Sequence, residues 1–224
     1  MRIVLTFEKE SVKDITPRDV RNFCGSITDQ KFNKIIMYHG TDAPPIIYKK
    51  PLEYAVEIAF YENNFYAFQH LMERLEKNKD NFFGRKIKKI IPKEDGYIPP
   101  FYLGSQTVEY STRTPIIITT NPIEHKMKYS FEQNGKIKDY VLFRLKRNLS
   151  YQLECYTKIK QNFDNLVLDF KEFKVVTERY KDDSKFIGFW TKFTSNYQLP
   201  EMVGYKTGLG YGQLVKDASI EIKK

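Results

Sequence analysis

Leu199-Pro200-Glu201-Met202-Val203-Gly204-Tyr205-Lys206-Thr207-Gly208-Leu209-Gly210-Tyr211-Gly212 is the stretch on which the reading of this chain turns. Four of the eleven glycines, Gly204, Gly208, Gly210 and Gly212, fall within nine positions here. Glycine loses more backbone entropy on folding than any other residue, so a cluster marks a chain that needs φ > 0 or a close approach to another group. The segments on either side, Lys185–Phe193 and Gln213–Ile222, read as strands. No G-K-[ST] ends the loop and no helical pattern follows it, which excludes a nucleotide-binding P-loop. Two readings remain. One is a tight, bulged hairpin; the other is a turn whose amides line a concavity for phosphate oxygens, with Lys206 as an added point charge.

Composition favours the second reading. The 224 residues carry 37 Lys+Arg against 28 Asp+Glu, a net charge of +9, and such an excess suits a polyanion, nucleic acid before anionic membrane. Aromatic residues make up 15% of the chain, enough to fill a core and still leave rings for stacking on unpaired bases. Cys24 and Cys155 form no C-x-x-C and no disulfide framework, which fits an intracellular, cytoplasmic protein. His39, His70 and His125 have no metal-site spacing, so neither a metal nor another cofactor is expected. No apolar run reaches the roughly 18 residues that span a bilayer, and a strand pattern at the N-terminus leaves no room for a signal peptide, so no membrane partner is expected.

Working outward, the chain reads as strand, helix, strands, helix, strand, and then again as strands, helix and strands. Arg2–Glu8 reads as a strand. Thr16-Pro17-Arg18-Asp19 supplies an N-cap, a proline at the first helical position and an acid at N3, opening a helix to about Asp29. Ile35–His39 reads as a strand that stops at Gly40-Thr41-Asp42-Ala43-Pro44-Pro45. Strands at Ile46–Lys50 and Tyr54–Tyr61, a helix through Phe65–Leu75 capped by Asn63 or Asn64, and a basic strand Phe83–Ile91 complete a β-α-β-β-α-β unit. His70 falls off that helix's apolar stripe and reads as a surface residue. Lys93–Pro100 is the linker, dividing the chain into 1–98 and 99–224. In the second part, strands are expected at Thr107–Glu109, Pro115–Thr119 and Lys126–Phe131, with a turn at Asn134-Gly135. A helix from Lys138 to about Ile159 buries Leu142, Leu145, Leu149, Leu153 and Tyr156. Phe170–Tyr180 then pairs with Lys185–Phe193. Between Lys136 and Lys160 seven Lys/Arg face two acids, and Arg144 and Arg147, three apart, offer cations for phosphate contact or simply a solvated face. The fold class is α+β, with tandem ferredoxin-like, RRM-like units.

His39 sits beside a Gly/Pro break, with Lys31 and Lys34 before it and Tyr48, Lys49 and Lys50 on the next strand. A histidine titrating near neutrality can move protons, and a lysine can steady developing phosphate charge. On residues alone, a lone loop histidine is more often a surface or packing group.

The glycine stretch with its aromatic lead-in Phe186-Ile187-Gly188-Phe189-Trp190-Thr191-Lys192-Phe193 resembles the C-terminal signature of CRISPR-associated endoribonucleases of the repeat-associated RNA-binding (RAMP) superfamily. The matching residues are Leu199-Pro200, Val203-Gly204, Lys206 and Gly210-Tyr211-Gly212; the loop between Gly204 and Gly210 is about two residues shorter than the pattern. Met37-Tyr38-His39-Gly40 with Ile46–Leu52 resembles the family's histidine turn, and Thr112–Ile118 its Ser/Thr-Pro strand. The resemblance implies metal-independent cleavage of CRISPR precursor RNA within each repeat, leaving a 2′,3′-cyclic phosphate and a 5′-OH. His39 would be general base or acid, Lys34 the phosphate stabiliser and Tyr48 an orienting hydroxyl. Lys31, Arg144, Arg147, Gly204, Lys206, Gly208, Gly210 and Gly212 would hold RNA, with His125 a weaker second candidate for RNA contact or proton transfer. The implied partner is repeat RNA, with room for other CRISPR-associated effector subunits and for a homodimer. The alternative is a non-catalytic RNA-binding RAMP subunit of an interference complex; a third reading is an unrelated basic RNA-binding protein.

Overall fold

The computed structural model describes residues 1–38, 43–61, 64–95, 98–119, 137–179 and 185–216. The chain forms two compact units, Met1–Tyr97 with Thr207–Gly210, and Ile98–Lys206 with Tyr211–Lys224.

The first unit runs β1 (Arg2–Thr6), α1 (Pro17–Ile27), α2 (Gln30–Ile36), β2 (Ile46–Tyr48), β3 (Ala55–Phe60), α3 (Phe65–Lys77) and β4 (Lys89–Lys93). Its sheet has the order β2-β3-β1-β4 with every pair antiparallel, the ferredoxin-like arrangement with α2 added. Period-two alternation sends Ile3, Leu5, Ile46, Tyr48, Val56, Ile58 and Phe60 into a core shared with Val20, Cys24, Phe68, Leu71 and Leu75 of the helices. Leu71 and Leu75 are four apart and fully buried, so truncating either to Ala removes about 2–5 kcal/mol. The capping box expected at Thr16 is present: Asp19 N–H donates to Thr16 Oγ1 at 3.2 Å, and Thr16 N–H donates to Asp19 Oδ2 at 2.9 Å.

Two expectations change here. Ile35–His39 was expected as a strand, but the residues to Ile36 form α2, because Gln30–Ile36 packs against α1 and α3 and places Phe32 on a ring of α3. The basic strand begins at Lys89 rather than Phe83, since Phe82 and Arg85 close a tight turn with Phe83 and Gly84 at positive φ.

The second unit contains β5 (Phe101–Tyr102), β6 (Val108–Thr112), β7 (Ile116–Thr119), α4 (Ile137–Thr157), β8 (Leu168–Arg179), β9 (Lys185–Ser195), β10 (Tyr197–Gln198) and β11 (Leu214–Lys216). β9 is central. β8 pairs with it along one edge, as Phe170–Tyr180 and Lys185–Phe193 suggested, while β6 and then β7 share the other. Thr114-Pro115 separates β6 from β7, because proline has no N–H for a continuous ladder. β11 adds outside β6. The β8-β9-β6/β7-β11 order is again ferredoxin-like; the glycine stretch occupies the place of the second helix. The buried face of α4 is Val141, Leu145, Asn148, Leu149, Gln152 and Leu153, rotated from the expected stripe so that Leu142 and Tyr156 are half-buried. The expected strand Lys126–Phe131, the turn at Asn134-Gly135 and the end of Gln213–Ile222 lie outside the described residues.

Candidate functional site

In the first unit, the third-last turn of the glycine stretch lies against β2 and the start of α1. Gly210 has φ +81°, and a Cβ built there would overlap Pro17 and stand 2.9 Å from the Tyr48 carbonyl oxygen. Only glycine fits, on conformation and on space. A Cβ on Gly208 would meet Pro44 at 3.0 Å. The structure therefore gathers Gly208, Gly210, Pro17, Pro44 and Tyr48 in one place.

Arg21 is the residue that sequence reasoning missed. It lies one turn after Pro17 on the same side of α1, and it is only 7% exposed. Its Nε is buried without a hydrogen-bond partner, and no ion pair or hydrogen bond holds the guanidinium among the described residues. Its charge is felt at the Tyr48 hydroxyl. A nitrogen buried without a partner carries a desolvation cost, which leaves Nε as a donor open to an added acceptor. The signal was there in Pro17-Val20-Arg21-Cys24, a charge inside a helical stripe that is otherwise apolar.

Tyr48 is 1% exposed and donates its hydroxyl to the Ile36 carbonyl at 2.8 Å. Burial pushes its pKa well above the ordinary tyrosine value, the Cys24 thiol adds to this, and Arg21 opposes it. The expected orienting hydroxyl is thus a buried brace that ties β2 to the end of α2. Lys31 and Lys34 are both exposed on α2, with the Lys31 ammonium 4.9 Å from the Phe32 ring centroid. His39 and His125 lie outside the described residues. Burial raises the Cys24 thiol far above the ordinary range, so it is inert as a thiolate.

The remaining expected residues belong to the second unit. Gly204, at φ +90°, is locked: its N–H donates to Asn148 Oδ1 at 2.8 Å and its carbonyl accepts from Gln152 Nε2 at 3.4 Å. Asn148 and Gln152 are successive turns of α4, which explains why two polar residues sit in its buried face. Gly212 donates to the Pro115 carbonyl at 2.9 Å and is packed against Val203. Lys206 is exposed at φ +61°, a left-handed conformation, with its ammonium 5.6 Å from the Phe186 ring centroid. Arg144 turns inward: Nε donates to the Ile118 carbonyl at 3.2 Å and the guanidinium lies 5.5 Å over Tyr205. Arg147 is exposed, its guanidinium 5.7 Å over Phe143. Gly204 and Gly212 hold the frame, whereas Lys206 and Arg147 present charge outward.

Among the described residues, no group of three His, Cys, Asp or Glu side chains converges, and no helix is long and apolar enough to cross a membrane.

No protein-family model and no curated protein sequence matches the chain. Solved structures do. A CRISPR RNA processing endoribonuclease, Cas6b, superposes with a TM-score of 0.60 at 17% identity, covering 96% of this chain and 98% of the other. A second Cas6b structure gives 0.69 at 14% identity, and a type IV Cas6 crRNA endonuclease, Csf5, gives 0.55 at 11%, each covering 96% of this chain and 98% of the other. The chain has the Cas6 endoribonuclease fold. Both ferredoxin-like units and the glycine stretch after β9 fall within that end-to-end match.

Proposed function

We propose that this protein is an endoribonuclease that cuts CRISPR repeat RNA, with its catalytic centre in the first unit where α1, α2, β2 and Thr207–Gly210 meet. The observation that carries the reading is the end-to-end likeness to Cas6 endoribonucleases, and Arg21, one turn after the Pro17 that packs on Gly210 and with Nε buried without a partner among the described residues, gives it a chemical focus. In this scheme a phosphate of the RNA completes Arg21, and Lys34 adds charge from α2. His39 takes the proton of the ribose 2′-OH. The 2′-oxygen attacks phosphorus as the bond to the 5′-oxygen breaks, and that oxygen receives a proton, from His39 or from water. The products are a 2′,3′-cyclic phosphate and a 5′-OH, and the protons balance without a metal. Tyr48 acts through α2 and stays out of contact with the RNA. Arg147 and Lys206, in the second unit, take flanking phosphates, and Arg144 holds the backbone at Ile118.

The test is purified protein with end-labelled repeat RNA in EDTA. Scission at one position, with a product whose 3′ end cannot be ligated until the cyclic phosphate is opened and the phosphate removed, supports the reading. Activity lost in EDTA and restored by Mg²⁺ overturns the chemistry. Retention without scission moves the protein to a non-catalytic RNA-binding role.

A further inference from the structure

α2 is seven residues long, too short to hold its shape alone, yet it carries Lys31 and Lys34 and leads to His39. Its two ends are held by different elements. At the C-terminal end, the Ile36 carbonyl accepts the Tyr48 hydroxyl. At the N-terminal end, the N-cap residue Asp29 makes no side-chain capping bond, because its carboxylate is paired with Arg74 of α3. The Asp29 N–H, one of the donors a helix start leaves over, instead donates to His70 Nε2 at 3.2 Å. The His70 ring also stacks on Phe32, centroids 4.3 Å apart at 26°. His70 and Arg74 are four residues apart on α3, so one face of that helix supplies every one of these contacts.

We propose that His70 is a positioning residue for RNA cleavage: by accepting the Asp29 N–H at Nε2 and stacking on Phe32, it sets α2 and thereby the cations Lys31 and Lys34 that α2 carries. This rests on the function proposed above. Only an imidazole with a lone pair on Nε2 can accept, so the proton of the neutral ring sits on Nδ1. Protonation turns Nε2 into a donor and deprives the Asp29 N–H of its acceptor. Asp29 Oδ2 lies 3.6 Å from the same Nε2. The other charges facing this cluster are Lys31 on α2 and Glu73 on α3.

Two substitutions separate clamp from mere packing. His70→Phe keeps the stack and loses the acceptor; His70→Gln puts an amide oxygen near the Nε2 position that accepts at every pH. The readouts are the hydrogen-exchange protection factor of the Asp29 amide in the free protein and single-turnover cleavage of saturating repeat RNA at pH 7.5. In His70→Phe, Asp29 protection should fall and cleavage at pH 7.5 slow by about 10- to 100-fold, the range for reacting groups displaced by an ångström or less. His70→Gln should restore both. Unchanged Asp29 protection in His70→Phe overturns the proposal, as does lowered protection with wild-type cleavage. If wild-type protein cuts no repeat RNA, the function proposed above fails, and with it the positioning role; the exchange data alone then report whether the Asp29–His70 bond exists.

Discussion

Replacing Arg21 by Met should make the protein no less stable and a poorer nuclease, a pairing of effects that few roles can produce. The substitution keeps a long, flexible side chain in the space now filled by the arginine stem and removes only the charge. In the free protein the residue is 7% exposed, and its buried Nε has no partner among the described residues. Taking it away relieves desolvation without breaking a bond, so the melting temperature should hold or rise, by about 2–4 °C for each kcal/mol relieved in a chain of this size. With RNA bound, the lost interaction is a charge-assisted hydrogen bond to phosphate, worth about 1.5–3 kcal/mol. That translates into about a 10- to 150-fold loss in the second-order rate of single-turnover cleavage. Arg21→Lys, which keeps the charge but not the planar fork, should fall between. The assays are thermal melts of the free protein and cleavage with enzyme in excess. A melting temperature lowered by several degrees together with wild-type cleavage would show that Arg21 is a structural residue, and the site would lose its focus.

His39→Ala should slow single-turnover cleavage by at least about 100-fold while leaving RNA affinity nearly intact; a wild-type rate would remove it from the mechanism. Lys206→Ala should lower the slope of log affinity against log salt by up to about one unit without loss of stability, and an unchanged slope would place the RNA elsewhere. Gly210→Ala should destabilise the first unit, since φ +81° and the overlap with Pro17 both oppose a Cβ; an unchanged melting temperature would refute the packing given for the glycine stretch. Burial pushes the Glu57 carboxyl up, but Lys49 at 2.7 Å and Arg2 at 3.1 Å outweigh it, so its folded-state pKa is lowered. Its stabilisation is then complete above the ordinary glutamate value and lost as pH falls through the folded one: the stability gap between wild type and Glu57→Gln should close below about pH 4.5, and a gap constant down to pH 3 would contradict this.

The fold was legible because it rests on signals that act locally. Thr16-Pro17-Arg18-Asp19 specifies a helix start by its own hydrogen bonds, and Ile3, Leu5, Val56 and Ile58 choose a sheet face by alternation alone. Thr114-Pro115 marks the break between β6 and β7 for a reason that needs no tertiary context. Ile35–His39 misled for the opposite reason. Its β-branched residues suit a strand, but α2 is decided by contacts with His70 and Arg74, some forty residues later in the chain. Tertiary packing overrode a weak local preference.

The candidate site was less legible, because a side chain's chemistry depends on what surrounds it. Tyr48 reads as an orienting hydroxyl for a histidine site, and in the structure its hydroxyl donates to the Ile36 carbonyl and braces α2. Arg144 and Arg147 read as a pair, yet a 60° difference around α4 sends one to the Ile118 carbonyl and the other outward. The glycines divide as well. Gly204 exists for Asn148 and Gln152, while Gly210 exists for Pro17 and the Tyr48 carbonyl, in a different unit. The same letter in one motif thus serves two purposes. Arg21 is the sharper case: Pro17, Val20 and Cys24 around it predict burial, and burial is what an arginine resists. Its Nε, buried without a partner among the described residues, is the donor that the proposed RNA phosphate would complete.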